Sequence, residues 1–362
     1  MNEVGLSKTE LDTPVLWVNL DTLETNIEKL ARHFKKSQVN WRPHTKGIKT
    51  PAIAHKAIAA GAIGITCAKL AEAEVMAAAG VQDILVANQI VTPQKIRRLV
   101  NLRKHTNVKV AVDNPENVLA LGKAASEKGV ELGVLVDVDS GMNRTGLSSA
   151  QAVLELAQLV AKTSGVTFLG IMTWEGHVLS AEDAAEKRQA IDKAMSLMRQ
   201  SAELCQTNSL PCEIISGGGS GTAEYTPSTG VITEIQAGGA IFSDMKYRSW
   251  NTLTEPSLFV RTSVTSRPAA NRVITDAGYK TLPAWHMEPK GVDFPAVKNF
   301  VTSAEHGVIT LEQANETIKV GHAFDFVVGY GDATVFLHDH LYGVRDGVVE
   351  AVWPLLGRGK LR

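Results

Sequence analysis

Short apolar runs rich in β-branched residues alternate with alanine-rich stretches of helical spacing, and this alternation constrains the fold more than any other feature. The runs predicted to be strands are Val39–Arg42, Ile63–Cys67, Ile84–Ala87, Val108–Val112, Leu132–Val138, Phe168–Trp174, Glu213–Ile215 and Glu234–Gln236. The stretches predicted to be helices are Thr50–Ala60, Ala71–Ala79, Pro93–Lys104, Pro115–Lys128, Ala150–Lys162 and Ala181–Gln206. Continuous apolar strands separated by helices are typical of a parallel sheet covered by helices. Eight strand–helix units are the number that closes a (β/α)8 barrel, so we predict that fold.

The pattern changes after about Ser257, where β-rich runs follow one another with few helical candidates between them. These runs are Phe259–Ser266, Arg272–Asp276, Gly307–Leu311, Ala323–Val328 and Leu341–Val344. They predict a second, mainly antiparallel β domain, to which a strand predicted at Pro14–Leu20 could add. A chain of 362 residues is long enough for two domains. We therefore expect an α/β protein with a barrel over residues 25–257 and a β-rich domain over residues 1–24 and 258–362.

Charge and cysteine content exclude several classes of function. The 37 Lys and Arg residues nearly balance the 38 Asp and Glu residues, which leaves no basic surface for nucleic acid or anionic membrane. The N-terminus lacks the basic-then-apolar order of a signal peptide, and no apolar run is long enough to span a bilayer. Cys67, Cys205 and Cys212 have no paired spacing, which indicates a reducing compartment. We expect a cytoplasmic protein whose partner is a small molecule.

A lysine follows the first predicted strand. Barrel enzymes build their active sites at the C-terminal ends of the strands, and here that end is followed by Pro43, His44, Thr45 and Lys46. An amine at a barrel mouth loses solvation, which suits formation of a Schiff base. A single lysine is far more often a solvated surface residue, so the assignment of Lys46 depends on the rest of the pattern.

Glycine-rich segments follow the seventh and eighth predicted strands. Ser216–Thr222 reads SGGGSGT, and Gly238 and Gly239 follow the eighth strand, with Tyr247 a little further on. Consecutive glycines let backbone N–H groups approach a phosphate closely, and hydroxyl groups add donors. A glycine-rich loop by itself could be only a flexible turn. Its position after strands seven and eight, where barrels commonly bind phosphate, favours a phosphate site at Ser220, Gly221, Thr222, Gly238 and Gly239.

Two further strand ends carry candidate site residues. Arg144 follows the fifth predicted strand and could hold an anionic oxygen of a bound cofactor. The sixth strand ends in Trp174-Glu175-Gly176-His177, which offers an aromatic face and a titratable pair. Taken alone, a tryptophan such as Trp174 is more often part of the packed core than of a site. A histidine such as His177 is more often a polar residue whose hydrogen bonds are satisfied within the protein. Their shared position at a barrel mouth favours a role in the site.

At this level of detail the chain resembles the fold-type III pyridoxal 5'-phosphate (PLP) enzymes, within them the D-threonine aldolase / D-serine dehydratase-like family. The similarity extends over nearly the whole chain. The matching motifs are Thr13-Pro14, Arg42–Lys46, Leu70–Glu74, Asp83–Gln89, Met142–Gly146, Trp174–His177, Ser216–Thr222, Asp276–Gly278, Glu305–Gly307, Arg345–Gly347 and Val352–Pro354.

The resemblance implies roles for the candidate residues. It implies Lys46 as the Schiff-base lysine, Arg144 near the cofactor phenolate, and the two glycine-rich segments at the phosphate. Trp174 stands where the family commonly has a tyrosine, and Tyr247 is expected among the cofactor contacts. The resemblance also implies a homodimer whose active site is completed across subunits, and substrates that are D-configured 3-hydroxy amino acids.

The chain departs from the family at the motif for a divalent metal (Mn, Mg or Zn). The family ligands are a His and, two residues later, an Asp or Cys, but the matching positions here are Tyr330 and Asp332. A neutral imidazole is a good ligand for Zn or Mn, whereas a phenol loses its proton only near about pH 10. His338 and His340 are not at the ligand position and are more often surface residues. Asp332 is thus the one remaining metal ligand of the motif, and we expect little tightly bound metal.

PLP acts as an electron sink, and the protein selects the bond that breaks. In an aldolase His177 would be the base that takes the β-hydroxyl proton, because imidazole exchanges protons near neutral pH. In a D-serine or 3-hydroxyaspartate dehydratase, Lys46 would take the Cα proton, and a metal would assist the departure of hydroxide. The incomplete metal motif favours a D-threonine or 3-hydroxy-D-aspartate aldolase. An amino-acid racemase and a non-enzymatic PLP-carrier protein are the alternatives, and the β-rich segment argues against the carrier.

Overall fold

The computed structural model describes residues 3–362. Its strands are β1 (Val15–Asn19), β2 (Asn40–Trp41), β3 (Ile65–Cys67), β4 (Asp83–Gln89), β5 (Asn107–Val112), β6 (Leu132–Val138), β7 (Val166–Thr173), β8 (Ile214–Gly217), β9 (Glu234–Ile235), β10 (Leu258–Ala269), β11 (Arg272–Thr275), β12 (Lys290–Gly291), β13 (Val297–Thr302), β14 (Gly307–Leu311), β15 (Ala323–Val327), β16 (His340–Arg345) and β17 (Val348–Pro354). Its α-helices are α1 (Leu20–Lys36), α2 (Pro51–Ala59), α3 (Leu70–Ala78), α4 (Pro93–Arg103), α5 (Pro115–Glu127), α6 (Ala150–Lys162), α7 (Ala184–Thr207), α8 (Met245–Ser249) and α9 (Gly331–Thr334).

These elements form two compact units. The barrel unit comprises Ala31–Lys46, Ile53–Gly238 and Lys360–Arg362. The β unit comprises residues 3–30, Gly47–Ala52 and Gly239–Gly359. No helix within residues 3–362 has the length and apolar character needed to cross a membrane.

The barrel unit contains an eight-stranded parallel sheet in the order β2-β9-β8-β7-β6-β5-β4-β3. A parallel bridge between His44, just past β2, and Thr66 in β3 joins the two ends of that order. The predicted (β/α)8 architecture is therefore confirmed, and each of the eight predicted strands has its counterpart. Strands such as β5 and β6 are buried along nearly their whole length, which explains why they read as continuous apolar runs. Helix α5 begins at Pro115 because the side chain of Asn114 accepts the Asn117 amide at 2.8 Å.

A network of four charged side chains lies at the β2 end and along the neighbouring strands. Arg42 donates through Nε to Glu234 at 3.0 Å and through a terminal nitrogen to Asp83, and Lys109 Nζ lies 2.8 Å from Asp83. Two cations thus balance two carboxylates in a largely buried setting. Burial alone would raise the pKa of Asp83, but Arg42 and Lys109 outweigh it and lower that pKa.

The β unit contains the remaining strands in the order β13-β14-β11-β10-β1-β16-β17, with β15 beside β10 and β12 beside β15. The strand predicted at Pro14–Leu20 is β1, which pairs antiparallel with β10 and parallel with β16. The mainly antiparallel sheet agrees with the predicted fold class. Strands β12, β13 and β17 were not predicted.

Helix α1 is the longest element missing from the sequence prediction. Its buried stripe has the three- and four-residue spacing of an amphipathic helix and consists of Leu20, Leu23, Ile27, Leu30 and Phe34. That spacing was the sequence signal from which α1 could have been predicted. The short helices α8 and α9 carry no such periodicity, so nothing in the sequence pattern indicated them.

Candidate active site

Lys46 lies at the C-terminal edge of the barrel sheet, in a short 3-10 turn over Thr45–Gly47 that follows β2. Its side chain is partly buried, and its amide donates to His44 Nδ1 at 3.3 Å. The preceding residue, Thr45, is fully buried and donates its hydroxyl to the carbonyl of Thr66 at 3.0 Å. The turn is therefore anchored to the neighbouring strand β3, which gives the lysine a defined position at the barrel edge.

Glu175, predicted only as one of a titratable pair with His177, shapes the glycine-rich loop after β8. It is fully buried and accepts hydrogen bonds from the Gly218 amide at 3.1 Å, Thr222 Oγ1 at 2.9 Å and Thr226 Oγ1 at 2.7 Å. Strand β8 continues through Gly217, so the loop starts at Gly218, two residues later than the prediction had it. One carboxylate after β7 therefore ties together the start and the end of the loop after β8.

Hydrogen bonds inside this loop engage several of its donors. The Thr222 hydroxyl donates to Glu175, and the Thr222 amide donates to the Gly219 carbonyl at 3.1 Å. Within residues 3–362, no group accepts from the amide of Gly221. Ser220, beside it, is buried. The hydroxyl and the amide of Thr222 are thus both engaged in hydrogen bonds that hold the shape of the loop.

Two of the predicted phosphate-site glycines are positions where backbone approaches another group closely. A Cβ on Gly219 would lie 2.6 Å from Cη2 of Trp174. A Cβ on Gly238 would lie 2.7 Å from the backbone nitrogen of His44. Only glycine fits either position without displacing its neighbour. The loop after β8 thus packs closely on the end of β7, and the loop after β9 packs closely on the end of β2.

Arg144 stands in a loop after β6 that is held by two carboxylates, buried Asp137 and half-buried Asp139. Asp137 accepts from the Thr145 hydroxyl and from Gln89 Nε2, each at 2.8 Å. Burial raises the pKa of Asp137, against the effect of these hydrogen bonds. Asp139 accepts two further amides of the loop at 3.0 Å. Because the loop is fixed on both sides of Arg144, the exposed guanidinium projects from a rigid support.

His177 lies beside that same loop. It is exposed and belongs to a 3-10 turn over Gly176–Ser180. A Cβ on Gly141 would lie 2.9 Å from His177 Nε2, so the imidazole packs on the glycine backbone. The structure therefore places the predicted base against the loop that carries Arg144.

Asp332, Tyr330 and Tyr247 form a cluster in the β unit. Tyr330 donates its hydroxyl to Asp332 Oδ2 at 3.2 Å, and the Tyr247 hydroxyl lies 3.5 Å from Asp332 Oδ1. Burial raises the pKa of both tyrosines, and the Asp332 carboxylate raises it further. Gly239 packs on the Tyr247 ring so closely that a Cβ there would collide with the ring atoms.

A second carboxylate supports this cluster from within the β unit. Asp244 is fully buried and accepts the amides of Gly331 at 2.6 Å and Tyr247 at 3.0 Å. Burial raises the pKa of Asp244 to about 8. These two hydrogen bonds fix the backbone on which Tyr247 and Asp332 are carried.

The donor set around Asp332 does not fit a divalent metal. Both carboxylate oxygens face phenol hydroxyls. His338 is buried with Nε2 2.8 Å from the Thr281 carbonyl, and burial lowers the pKa of its ring. Across residues 3–362, no group of three or more His, Cys, Asp or Glu side chains is placed to hold a metal ion.

Comparison with known proteins gives matches over nearly the full length. Residues 18–246 match the family described as "Alanine racemase, N-terminal domain", and residues 257–344 match "Putative serine dehydratase domain". The D-threonine aldolase of Arthrobacter sp is 36% identical, covering 96% of this chain and 93% of that protein. The 3-hydroxy-D-aspartate aldolase of Paracoccus denitrificans is 33% identical, covering 98% and 94%. The crystal structure of D-threonine aldolase from Filomicrobium marinum superimposes with a TM-score of 0.96 at 31% identity, covering 99% of both chains.

Proposed function

Because the chain belongs to the fold-type III PLP enzymes of the D-threonine aldolase / D-serine dehydratase-like family, we propose that it cleaves D-3-hydroxy amino acids to glycine and an aldehyde. One observation carries the proposal. Lys46 and the loop built on Glu175 follow strands of one parallel sheet, whose C-terminal ends form a common edge. That edge offers both an amine for a Schiff base and backbone donors for a phosphate.

The residues present fit PLP. Lys46 would hold the cofactor covalently, and the amides after β8 and β9 would bind its phosphate, with Ser220, Gly221 and Gly238 as donors. Thr222 would act through the shape of the loop. Arg144 and Trp174 would contact the cofactor ring. PLP, when bound, supplies an acceptor for the electron pair that remains on Cα when the Cα–Cβ bond breaks.

The chain's own groups move the protons of the reaction. The imidazole of His177 accepts the proton of the substrate β-hydroxyl, so the oxygen becomes the carbonyl oxygen of the departing aldehyde. Lys46 would be the residue that releases the cofactor to the substrate amine and holds it again after glycine has left. The rigid support of Arg144 and the packing of His177 on Gly141 keep both side chains in place during these steps.

We further propose that the protein acts in the cytoplasm as a homodimer with a site completed by the partner subunit. Dehydration is the second candidate, since a D-threo-3-hydroxyaspartate dehydratase of Delftia sp. is 31% identical over 66% of this chain. An aldolase releases glycine and an aldehyde, whereas a dehydratase releases ammonia and a keto acid. Product analysis therefore separates the two.

The test uses purified holoprotein with D-threonine, D-phenylserine, 3-hydroxy-D-aspartate, D-serine and D-alanine. We expect glycine and the matching aldehyde, and borohydride reduction followed by peptide mapping should place the pyridoxyl group on Lys46. Lys69, which follows β3 at the same edge of the sheet, is the matched control. Lys46→Ala should abolish labelling, and Lys69→Ala should leave it intact. A label on another lysine, or keto acid as the product, would contradict the proposal.

A further inference from the structure

Asp137 is a buried carboxylate near the C-terminal end of β6, within the barrel unit. Leu85, Ala111, Leu135 and Met172 form a buried apolar cluster that joins four consecutive strands. Side chains two residues apart on a strand face the same side, so Asp137 follows Leu135 on the face that carries this cluster. Asp137 is only 6% exposed. A buried carboxylate is costly unless it is paired, so the partners of Asp137 indicate its role.

The two residues that follow Arg144 are both tied to carboxylates at the ends of barrel strands. The Thr145 hydroxyl donates to Asp137 Oδ2 at 2.8 Å, and the Gly146 amide donates to Asp113 Oδ2 at 3.2 Å. The same Asp137 oxygen also accepts from a glutamine side chain at the end of β4, at 2.8 Å. The backbone next to Arg144 therefore takes its position from strands β4, β5 and β6 and not from the loop alone.

Asp137 and Arg144 also interact through their charges. Burial raises the pKa of Asp137, and the hydrogen bonds on Oδ2 and the positive charge of Arg144 act in the opposite direction. A charge interaction is mutual, so the carboxylate attracts the guanidinium as well. Because Arg144 itself is exposed, its donors can still reach the oxygen of a bound anion.

We propose that Asp137 is a positioning residue for Arg144. It fixes the backbone after Arg144 through the Thr145 hydroxyl, and its negative charge draws the guanidinium toward the end of β6. The inference rests on the proposed function, in which Arg144 contacts the ring of PLP. It predicts that Asp137 affects the cofactor mainly through Arg144, and that the Thr145 hydroxyl is needed for this effect.

The first experiment follows the absorbance of bound PLP against pH and needs no turnover. The Schiff base with Lys46 carries a proton, and a guanidinium beside the cofactor's phenolate oxygen lowers the pKa of that proton. Arg144→Met should therefore move the absorbance midpoint upward by about one pH unit or more. Loss of the Asp137 charge alone would move the midpoint downward, whereas loss of the position of Arg144 moves it upward. We expect an upward shift in Asp137→Asn, so the sign separates positioning from a simple charge effect.

The second experiment removes the link and keeps the charge. Thr145→Val retains the size of the side chain and the Asp137 carboxylate but loses the hydrogen bond, and we expect it to shift the midpoint upward as well. Thr163→Val is the matched control, because the Thr163 hydroxyl donates to a backbone carbonyl at the end of α6, at 2.7 Å. It should leave the midpoint unchanged. In the Arg144→Met background, Asp137→Asn should cause no further upward shift, because no guanidinium is left to position.

The outcomes separate this inference from the proposed function. If the holoprotein cleaves no D-3-hydroxy amino acid, the proposed function fails, while the absorbance titration still decides the role of Asp137. A midpoint that is unchanged or lower in Asp137→Asn, or an upward shift that persists in the Arg144→Met background, would overturn the positioning role. If Asp137→Asn does not fold, Thr145→Val decides in its place, and an unchanged midpoint there counts against the role. A wild type that binds no PLP would overturn both.

Discussion

Replacing Glu175 with glutamine tests whether one buried carboxylate holds the phosphate loop. The side chain keeps its size, and its remaining carbonyl oxygen can still accept from the hydroxyls of Thr222 and Thr226. Its new NH₂ group, however, faces the Gly218 amide, which donated to Oε2 at 3.1 Å. A hydrogen bond to a charged acceptor contributes about 1.5–3 kcal/mol, and at least this one is lost. The glutamine NH₂ group and the Gly218 amide, both hydrogen-bond donors, then face each other where residue 175 is fully buried.

This loss weakens the loop conformation that we propose binds the phosphate. We therefore expect PLP affinity to weaken by about tenfold to a hundredfold in Glu175→Gln, since each factor of ten corresponds to about 1.4 kcal/mol. The assay is a PLP titration of the apoprotein followed by tryptophan fluorescence. The thermal midpoint of the apoprotein should fall as well, because the hydrogen bonds exist without cofactor.

Glu224→Gln is the matched control, because Glu224 follows the same loop but is exposed. It should change neither PLP affinity nor the thermal midpoint. Glu175→Gln with wild-type PLP affinity and an unchanged midpoint would refute the reasoning. A lower midpoint with unchanged affinity would show that the carboxylate stabilises the barrel unit without shaping the phosphate site.

Further predictions concern the packing of the cradle and the charged network. Gly219→Ala should destabilise the protein by about 1–3 kcal/mol in urea unfolding, because the new methyl group overlaps the Trp174 ring, and Trp174→Phe should relieve part of that cost. Additive losses in the double variant would contradict this explanation. Arg42 and Lys109 lower the pKa of Asp83 below its ordinary 3.8, although burial acts in the opposite direction. The stability gained from this ion pairing is therefore fully present above pH 3.8 and is lost as the pH falls through the lowered pKa of Asp83. The difference in unfolding free energy between wild type and Asp83→Asn should therefore shrink below about pH 4. A difference that does not change with pH would contradict this prediction.

The barrel could be predicted from the sequence because its signal is local. Strands buried on both faces are apolar nearly throughout, and six of the eight, β2 to β7, are followed by an α-helix, so the repeating units can be counted along the chain. The candidate site followed from the same reasoning, since parallel strands gather their C-terminal ends at one edge. The exchange of a metal-ligating histidine for Tyr330 also needed only the sequence.

The hydrogen bonds that shape the site needed the tertiary structure. Glu175 and Gly218 are 43 residues apart, and Tyr247 and Asp332 are 85 residues apart. No periodicity links such pairs, so the loop role of Thr222 and the pairing of Asp332 with two phenols could not be read from the sequence. Periodicity reports which face of an element is buried, whereas a buried polar group finds its partner wherever folding brings a complementary donor or acceptor within hydrogen-bonding distance. The sequence alone therefore determined the barrel and pointed to the C-terminal edge of its sheet as the candidate site, and the tertiary structure decided how the buried donors and acceptors near that edge are paired.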